Sequence, residues 1–236
     1  GTFSLSGPAG AALFKAGAAS HMWTGVPPGE AWGLNDLGLA KGFKRVGAQQ
    51  QAVAWSDGNL FYLTTGAGHG RERAAYAANS LGVVVGATDG LACVWRRELT
   101  GAWRFEGLQG QTPKPDGSGW EIRGVGTSGR GYAINGCGDV AGFIQDDNRA
   151  DPERQLWAAW WPGAGAARDL NALLPSGSGW NLLEARGINP NGDIVGLGLK
   201  DGQRRGFLLS TGLRSDGEGT HDNTPPTVLP PPDMLV

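Results

Sequence analysis

The stretch Arg186-Gly187-Ile188-Asn189-Pro190-Asn191-Gly192-Asp193-Ile194-Val195-Gly196 decides how this chain is read. Small and apolar residues lead into Asn-x-x-Gly, and a second apolar run leaves it and closes at a glycine. The same pattern returns at Trp32-Gly33-Leu34-Asn35-Asp36-Leu37-Gly38, at Tyr76-Ala77-Ala78-Asn79-Ser80-Leu81-Gly82 and at Tyr132-Ala133-Ile134-Asn135-Gly136-Cys137-Gly138. Asn folds its side chain back onto nearby backbone and tolerates positive φ. Gly supplies positive φ without strain, so each copy predicts a tight hairpin. The turn-forming residues are then Asn35 and Gly38, Asn79 and Gly82, Asn135 and Gly138, and Asn189 and Gly192.

Outward from each turn runs a second strand: Leu39 to Phe43, Val83 to Ala87, Asp139 to Phe143 and Asp193 to Leu199. Three of these carry Val-Gly or Ala-Gly at one offset (Val85-Gly86, Ala141-Gly142, Val195-Gly196). A glycine fixed at one place in a strand marks a close approach by another backbone or a large ring. A third strand reads Ala52-Val53-Ala54-Trp55, Ala92-Cys93-Val94-Trp95, Ala158-Ala159-Trp160-Trp161 and Gly206-Phe207-Leu208-Leu209. Its small-then-large order suits wedge-shaped sheets packed face to face. A fourth follows at Leu60 to Leu63, Trp103 to Phe105 and Ala167 to Leu170.

Four short strands per unit, with marker asparagines 44, 56 and 54 residues apart, predict an all-β fold of the β-propeller type. The longer intervals hold inserts at Gln109 to Gly119 and Asp146 to Arg154. Gly-Ser-Gly-Trp occurs twice (Gly117 to Trp120, Gly177 to Trp180) and reads as a packing device between units. The N-terminus reads as a truncated unit, with strands at Phe3-Ser4-Leu5, Ala12 to Lys15 and Ser20 to Trp23. An open ring leaves a sheet edge and an apolar face exposed, so closure is required. Five blades are expected, with the stretch from Leu213 supplying a missing strand. The alternative is a closed ring of four, completed by N-terminal residues. The propeller then spans residues 1–213, in units 1–31 (truncated), 32–74, 75–130, 131–184 and 185–213.

Composition agrees. The chain has 236 residues, 42 glycines, ten tryptophans and a formal net charge of −2. The glycines have no three-residue period, which excludes collagen, and the tryptophans argue against disorder. Basic residues are scattered (Arg71, Arg73, Arg96, Arg97, Arg204, Arg205), so no nucleic-acid partner is expected. No run of eighteen apolar residues occurs, so no transmembrane segment is expected. The chain opens on Gly1, as a processed N-terminus would. Cys93 and Cys137 read as one buried and one turn thiol, with a single bridge between units as the alternative.

These motifs resemble the bacterial HAF-repeat family, whose units read A-x-G-I-N-x-x-G-x-V-V-G, then H-A-F-L-W, then G-x-x-x-D-L. The match is closest at Asp169-Leu170-Asn171-Ala172-Leu173-Leu174-Pro175, Gly177 to Trp180, Gly187 to Gly196 and Gly206 to Leu209, and spans roughly residues 10–212. The family's His is missing from every unit; Ala11, Gln51, Leu91, Trp157 and Arg205 stand in its places. The resemblance implies a propeller-like fold and an exported bacterial protein, periplasmic or extracellular, rather than an activity.

Catalytic signals are thin. His21 reads as a half-buried strand residue, His69 as a loop residue and His221 as part of the tail, and none has metal-ligand spacing. Asp139 and Asp193 follow the turn glycines, with Asp36 near the turn of another unit. Paired carboxylates at a channel mouth would suit glycoside hydrolysis. Because the two aspartates respect the repeat, the better reading is that they serve the turn. The run Asp146 to Glu153 lacks the glycine and closing glutamate of a calcium loop and reads as a solvated hairpin. Gly124-Val125-Gly126 is no phosphate cradle. Trp55, Trp95 and Trp161 are expected in the core. Trp103, Trp120, Trp157 and Trp180 lie off the pattern and are free to face outward, with Trp120 and Trp180 read as packing between units. No cofactor and no metal site is expected.

Residues 214–236 differ in composition and end in an extended Pro-rich arm. Its candidate partner-binding residues are Pro225, Pro226, Val228, Leu229, Pro230, Pro231, Pro232, Met234 and Leu235. The expected function is a non-catalytic accessory subunit that binds other proteins of a larger assembly through this arm and the inserts. A carbohydrate-binding propeller is the alternative, and a glycoside hydrolase a third reading.

Overall fold

The computed structural model describes residues 12–15, 18–21, 29–63, 73–88, 90–113, 120–125, 128–145 and 156–210. The Pro-rich arm, Phe3-Ser4-Leu5, the stretch from Leu213, the Asp146 to Arg154 insert, His69 and His221 lie outside the described residues. Every sheet described is antiparallel, and no described helix is long and apolar enough to cross a membrane. The chain divides into two compact units, Gly1–Gly107 and Leu108–Val236.

The first unit contains a hairpin, β1 (Ala12–Lys15) with β2 (Ala18–His21), in which Ala12 pairs with His21. The last strand expected of the truncated unit therefore begins at Ala18, two residues before Ser20. Two four-stranded meanders follow. One is β3 (Gly29–Leu34), β4 (Ala40–Val46), β5 (Gln49–Ser56) and β6 (Asn59–Tyr62). The other is β7 (Arg73–Ala78), β8 (Val84–Thr88), β9 (Leu91–Arg97) and β10 (Trp103–Gly107). Leu39, Ala52, Ala54 and Leu63 of one meander pack on Ala75, Val84, Cys93 and Trp95 of the other. The alanines let the sheets approach, and Trp95 fills the wider part of the gap. A second buried cluster, Ala40, Val53 and Trp55, lies on the other face of β4 and β5. Both faces of this sheet are therefore dry, which is why Ala52 through Trp55 are all buried and show no alternation.

The second unit holds a hairpin of β11 (Gln109–Pro113) and β12 (Trp120–Val125). The first insert is thus partly strand rather than loop. Its glycine, glutamines and proline carry no apolar alternation by which pairing is recognised. A four-stranded meander follows: β13 (Gly129–Ile134), β14 (Val140–Gln145), β15 (Leu156–Trp161) and the short β16 (Arg168–Asp169). The last sheet has three strands, β17 (Trp180–Ile188), β18 (Ile194–Lys200) and β19 (Gln203–Leu209). Ala141, Ala158, Trp160 and Leu170 pack on Leu182, Ala185, Ile194, Phe207 and Leu209, with Trp180 against them. Each large aliphatic side chain buried in this way contributes about 1.5–3 kcal/mol of transfer free energy.

The turns are built alike. The N–H of each glycine donates to the carbonyl of the marker Asn three residues earlier, at 3.0–3.1 Å in all four copies. Gly38, Gly82, Gly138 and Gly192 sit at φ between 76° and 88°. The marker asparagines are not at positive φ. Their contribution is the side chain: Asn79 Oδ1 accepts from Leu81 N and Val83 N at 3.1 and 3.0 Å, as Asn35 and Asn135 do at their own turns.

The repeated strand glycines share one cause. A Cβ on Gly42, Gly86, Gly142 or Gly196 would strike the carbonyl oxygen of Glu30, Ala74, Arg130 or Glu184, each five residues before its marker Asn. The expected close approach is thus by backbone of the same sheet at all four, joined by the ring of Trp95 at Gly86 and of Phe207 at Gly196. Gly42, preceded by Lys41 rather than Val or Ala, belongs to the set.

Candidate functional site

Opposite each of these glycines the first strand bulges. The pairing skips Trp32 in β3, Tyr76 in β7, Tyr132 in β13 and Arg186 in β17, each three residues before the marker Asn. A bulge sets two residues of one strand against one of its partner and re-aims a side chain. Here it aims them at each other. The rings of Trp32 and Tyr76 stack with centroids 5.2 Å apart and planes 6° from parallel. Trp32 also meets Phe43 at 5.1 Å, and its indole N–H donates to the Glu30 carboxylate at 2.8 Å.

In the second unit the guanidinium of Arg186 lies 4.1 Å above the Tyr132 ring. Tyr132 meets Phe143 at 5.6 Å, while Arg130 lies over the same phenylalanine, and Arg186 pairs with Glu184. Burial pushes the Tyr132 phenol up, and the Arg186 charge works against it. Each unit therefore has a stack of bulge residues from successive sheets, aromatic on aromatic in one and cation on aromatic in the other.

Lys41 breaks the repeat beside the first stack. The other copies hold Val85, Ala141 and Val195 there. Lys41 pairs with Gly33, and its ammonium lies where a Gly33 side chain would be. On alternate residues of β4, Lys41 shares a face with Phe43, and across the ladder it pairs with Ala54. The residue is 8% exposed, and no hydrogen bond or ion pair reaches it from the described residues. Burial lowers its pKa to about 8.

While protonated, this amine opposes folding. The unfolded chain binds the proton more tightly, so stability rises as pH climbs from about 8 towards 10.5. Lys41→Met is expected to gain about 1–2 kcal/mol at neutral pH and to lose that alkaline rise. Urea melts of both proteins at neutral and alkaline pH check this.

Asp139 and Asp193 serve the turns. Asp139 accepts from Gly163 N at 2.8 Å and from Asn135 Nδ2 at 3.1 Å, one oxygen to each. Asp193 accepts from Ser210 Oγ at 2.9 Å and Asn189 Nδ2 at 2.8 Å. Asp36 is exposed. Among the described residues, no three His, Cys, Asp or Glu side chains converge as metal ligands would. Neither cysteine forms a disulfide: Cys93 is buried and Cys137 exposed at its turn, the first of the two arrangements expected. His21 lies in β2. Trp55, Trp95 and Trp161 are core residues. Trp157 is buried rather than outward-facing, because β15 is dry on both sides, and Trp103 packs beside the first core near Phe61.

Sequence reasoning passed over three features. The stack was signalled by the aromatic first residue of the motif, and Lys41 by a charge where other copies are aliphatic. Asn171 clasps the next sheet, its side chain accepting from Leu182 N at 2.6 Å and donating to Leu182 O at 2.9 Å. Its signal was the Asp-Leu-Asn run at Asp169, whose carboxylate caps the 3-10 turn Leu170–Leu173. Compared with known proteins, the chain matches no family model and no curated protein.

Proposed function

We propose that the repeated sheets are blades of a small β-propeller resembling the HAF-repeat proteins, and that the protein is an exported, non-catalytic accessory subunit that binds other proteins. The last sheet supports the ring. Among the described residues it has three strands where the three other meanders have four, so β19 has no described partner on its outer edge, and Val195, Leu197 and Leu208 lie exposed on the sheet's outer face. An apolar face and an unpaired edge call for cover. Terminal strands closing a ring of five blades, or of four in the alternative, would provide it.

The observation that carries the binding role is the turn rim of the first unit. Leu37 is 66% exposed and Leu81 73% exposed, each two residues past its marker Asn. The Asn35 side chain donates to the Asn79 carbonyl at 2.7 Å, which holds the two turns side by side. The backbones of both leucines serve their turns, while their apolar side chains take no part in them and stand in water. Together with the Pro-rich arm (Pro225 to Leu235), this pair suits docking to a protein surface. Asp139 and Asp193 hold their turns with both carboxylate oxygens, which leaves a glycosidic mechanism without its expected residues. A carbohydrate-binding propeller would draw on Trp32 and Tyr76, yet each ring covers a face of the other.

Protein isolated from its native source is expected to elute well above its 24.5 kDa chain mass. Leu37→Lys with Leu81→Lys, or removal of residues 214–236, is expected to return it to that mass with the β circular dichroism unchanged. A lone monomer from the native source would overturn the reading.

A further inference from the structure

We infer that Lys41 is a reactive amine site that condenses with small aldehydes, those carrying a flat ring above all, at the edge of the Trp32–Tyr76 stack. Four observations place the amine there. First, its stem is enclosed between the two meanders of the first unit, on the β4 face that also carries Phe43. Second, the head is left unpartnered by the described residues, whereas the two lysines compared with it are engaged: Lys200 pairs with Asp201 at 3.0 Å and Lys44 lies 6.0 Å from the Tyr62 ring centre. Third, the ammonium nitrogen is not among the fully enclosed unpartnered polar atoms, such as the indole nitrogens of Trp95 and Trp103. Its small remaining exposure therefore includes the nitrogen itself. Fourth, Gly33 leaves open the space into which the head reaches, and the bulge beside it puts Trp32 on the Phe43 side of the strand pair.

The chemistry needs no other reactant. The neutral amine's lone pair attacks the carbonyl carbon, and the carbonyl electrons move to oxygen, which takes a proton from water while the hydroxide so formed removes one proton from the cationic nitrogen. The carbinolamine then loses hydroxide as water, using the proton released from nitrogen, and a C=N bond forms. Amine and aldehyde give imine and one water, with no change of oxidation state. An apolar surround favours the neutral, nucleophilic amine. With no acid or base partnering the nitrogen, the site captures a carbonyl compound rather than turning it over. Of the titratable side chains on the two strands that meet there, Tyr76 is one ring of the stack and Glu30 is already bonded to the other, Trp32.

The test uses the full chain near neutral pH with benzaldehyde, and separately formaldehyde, each with cyanoborohydride to fix the imine as a secondary amine. Peptide mass spectrometry then follows each lysine with time. Lys41 is expected to be labelled at least about tenfold faster than Lys44 and Lys200, because far more of its amine is neutral. The excess is expected to be larger with benzaldehyde than with formaldehyde. Lys41→Met should remove the fast phase and leave the other rates unchanged. Labelling of Lys41 no faster than Lys44 overturns the amine site, and a larger excess with formaldehyde overturns the role of the ring stack. Both readouts come from the unmutated protein, so neither depends on a variant folding.

Discussion

Gly86→Ala is expected to destabilise the protein by on the order of 3 kcal/mol or more. The added methyl would meet the Ala74 carbonyl oxygen, which is backbone, and stand 3.0 Å from the Trp95 ring. Neither neighbour has room to move, since β8 is buried along its whole length and Trp95 is fully enclosed. The strand pair must part, and with it the bulge that seats Tyr76. Gly82→Ala is the matched control. It lies four residues away at φ 76° with open space around its Cβ position, so it carries only left-handed strain of about 1 kcal/mol. Urea denaturation of the two variants, made in one background, checks the contrast. Equal losses would show that the tucked carbonyl does not set the requirement.

Asn135→Ala is expected to lose about 3 kcal/mol. The residue is 5% exposed and bonds in four directions. Its oxygen accepts from Cys137 N and Asp139 N, and its amide donates to Asp139 Oδ2 and to the Asn189 carbonyl. Truncation strips two backbone donors and leaves the buried Asp139 carboxylate with one fewer donor. Asn135→Asp separates the two ends of the side chain. It keeps the acceptor, loses both donations and sets a second carboxylate beside Asp139. Like charges raise the new carboxyl's pKa above its unfolded value, so this variant is expected to recover part of its loss on acidification, and to lose it again as pH rises through that raised value. Melts from mildly acidic to neutral pH measure the recovery.

Much of the architecture was legible because the turn is local. Asn to Gly at a spacing of three names its own hydrogen bonds, and the strands on either side follow from it. What the turn Asn does across the gap was not legible: the Asn35 and Asn135 amides reach the carbonyls of Asn79 and Asn189, and nothing in one unit's sequence states what its neighbour presents. The strand glycine told of a close approach but not of its source, since the carbonyl that fills the space lies on a bulge, and a bulge shifts register without changing composition. Lys41 stayed hidden for the opposite reason. Read alone, Ala40-Lys41-Gly42 is an ordinary half-exposed strand with a solvated charge; only the second sheet packed on that face makes the lysine unusual. The aspartates were legible in both roles offered, and the hydrogen bonds at each turn chose the structural one.

The clasp between turns also bears on how such a chain lengthens. Within each compact unit one marker's side-chain amide is the donor and the next marker's backbone carbonyl the acceptor, Asn35 to Asn79 in the first and Asn135 to Asn189 in the second. The acceptor is backbone, which any residue supplies, so a sheet copied whole needs only its own Asn to clasp a neighbour, with no compensating change in that neighbour. The same economy has a cost: one substitution at a donating marker, Asn35 or Asn135, releases the two sheets it clasps. Amide exchange protection should accordingly fall in pairs of adjacent sheets, not singly, when a marker is changed.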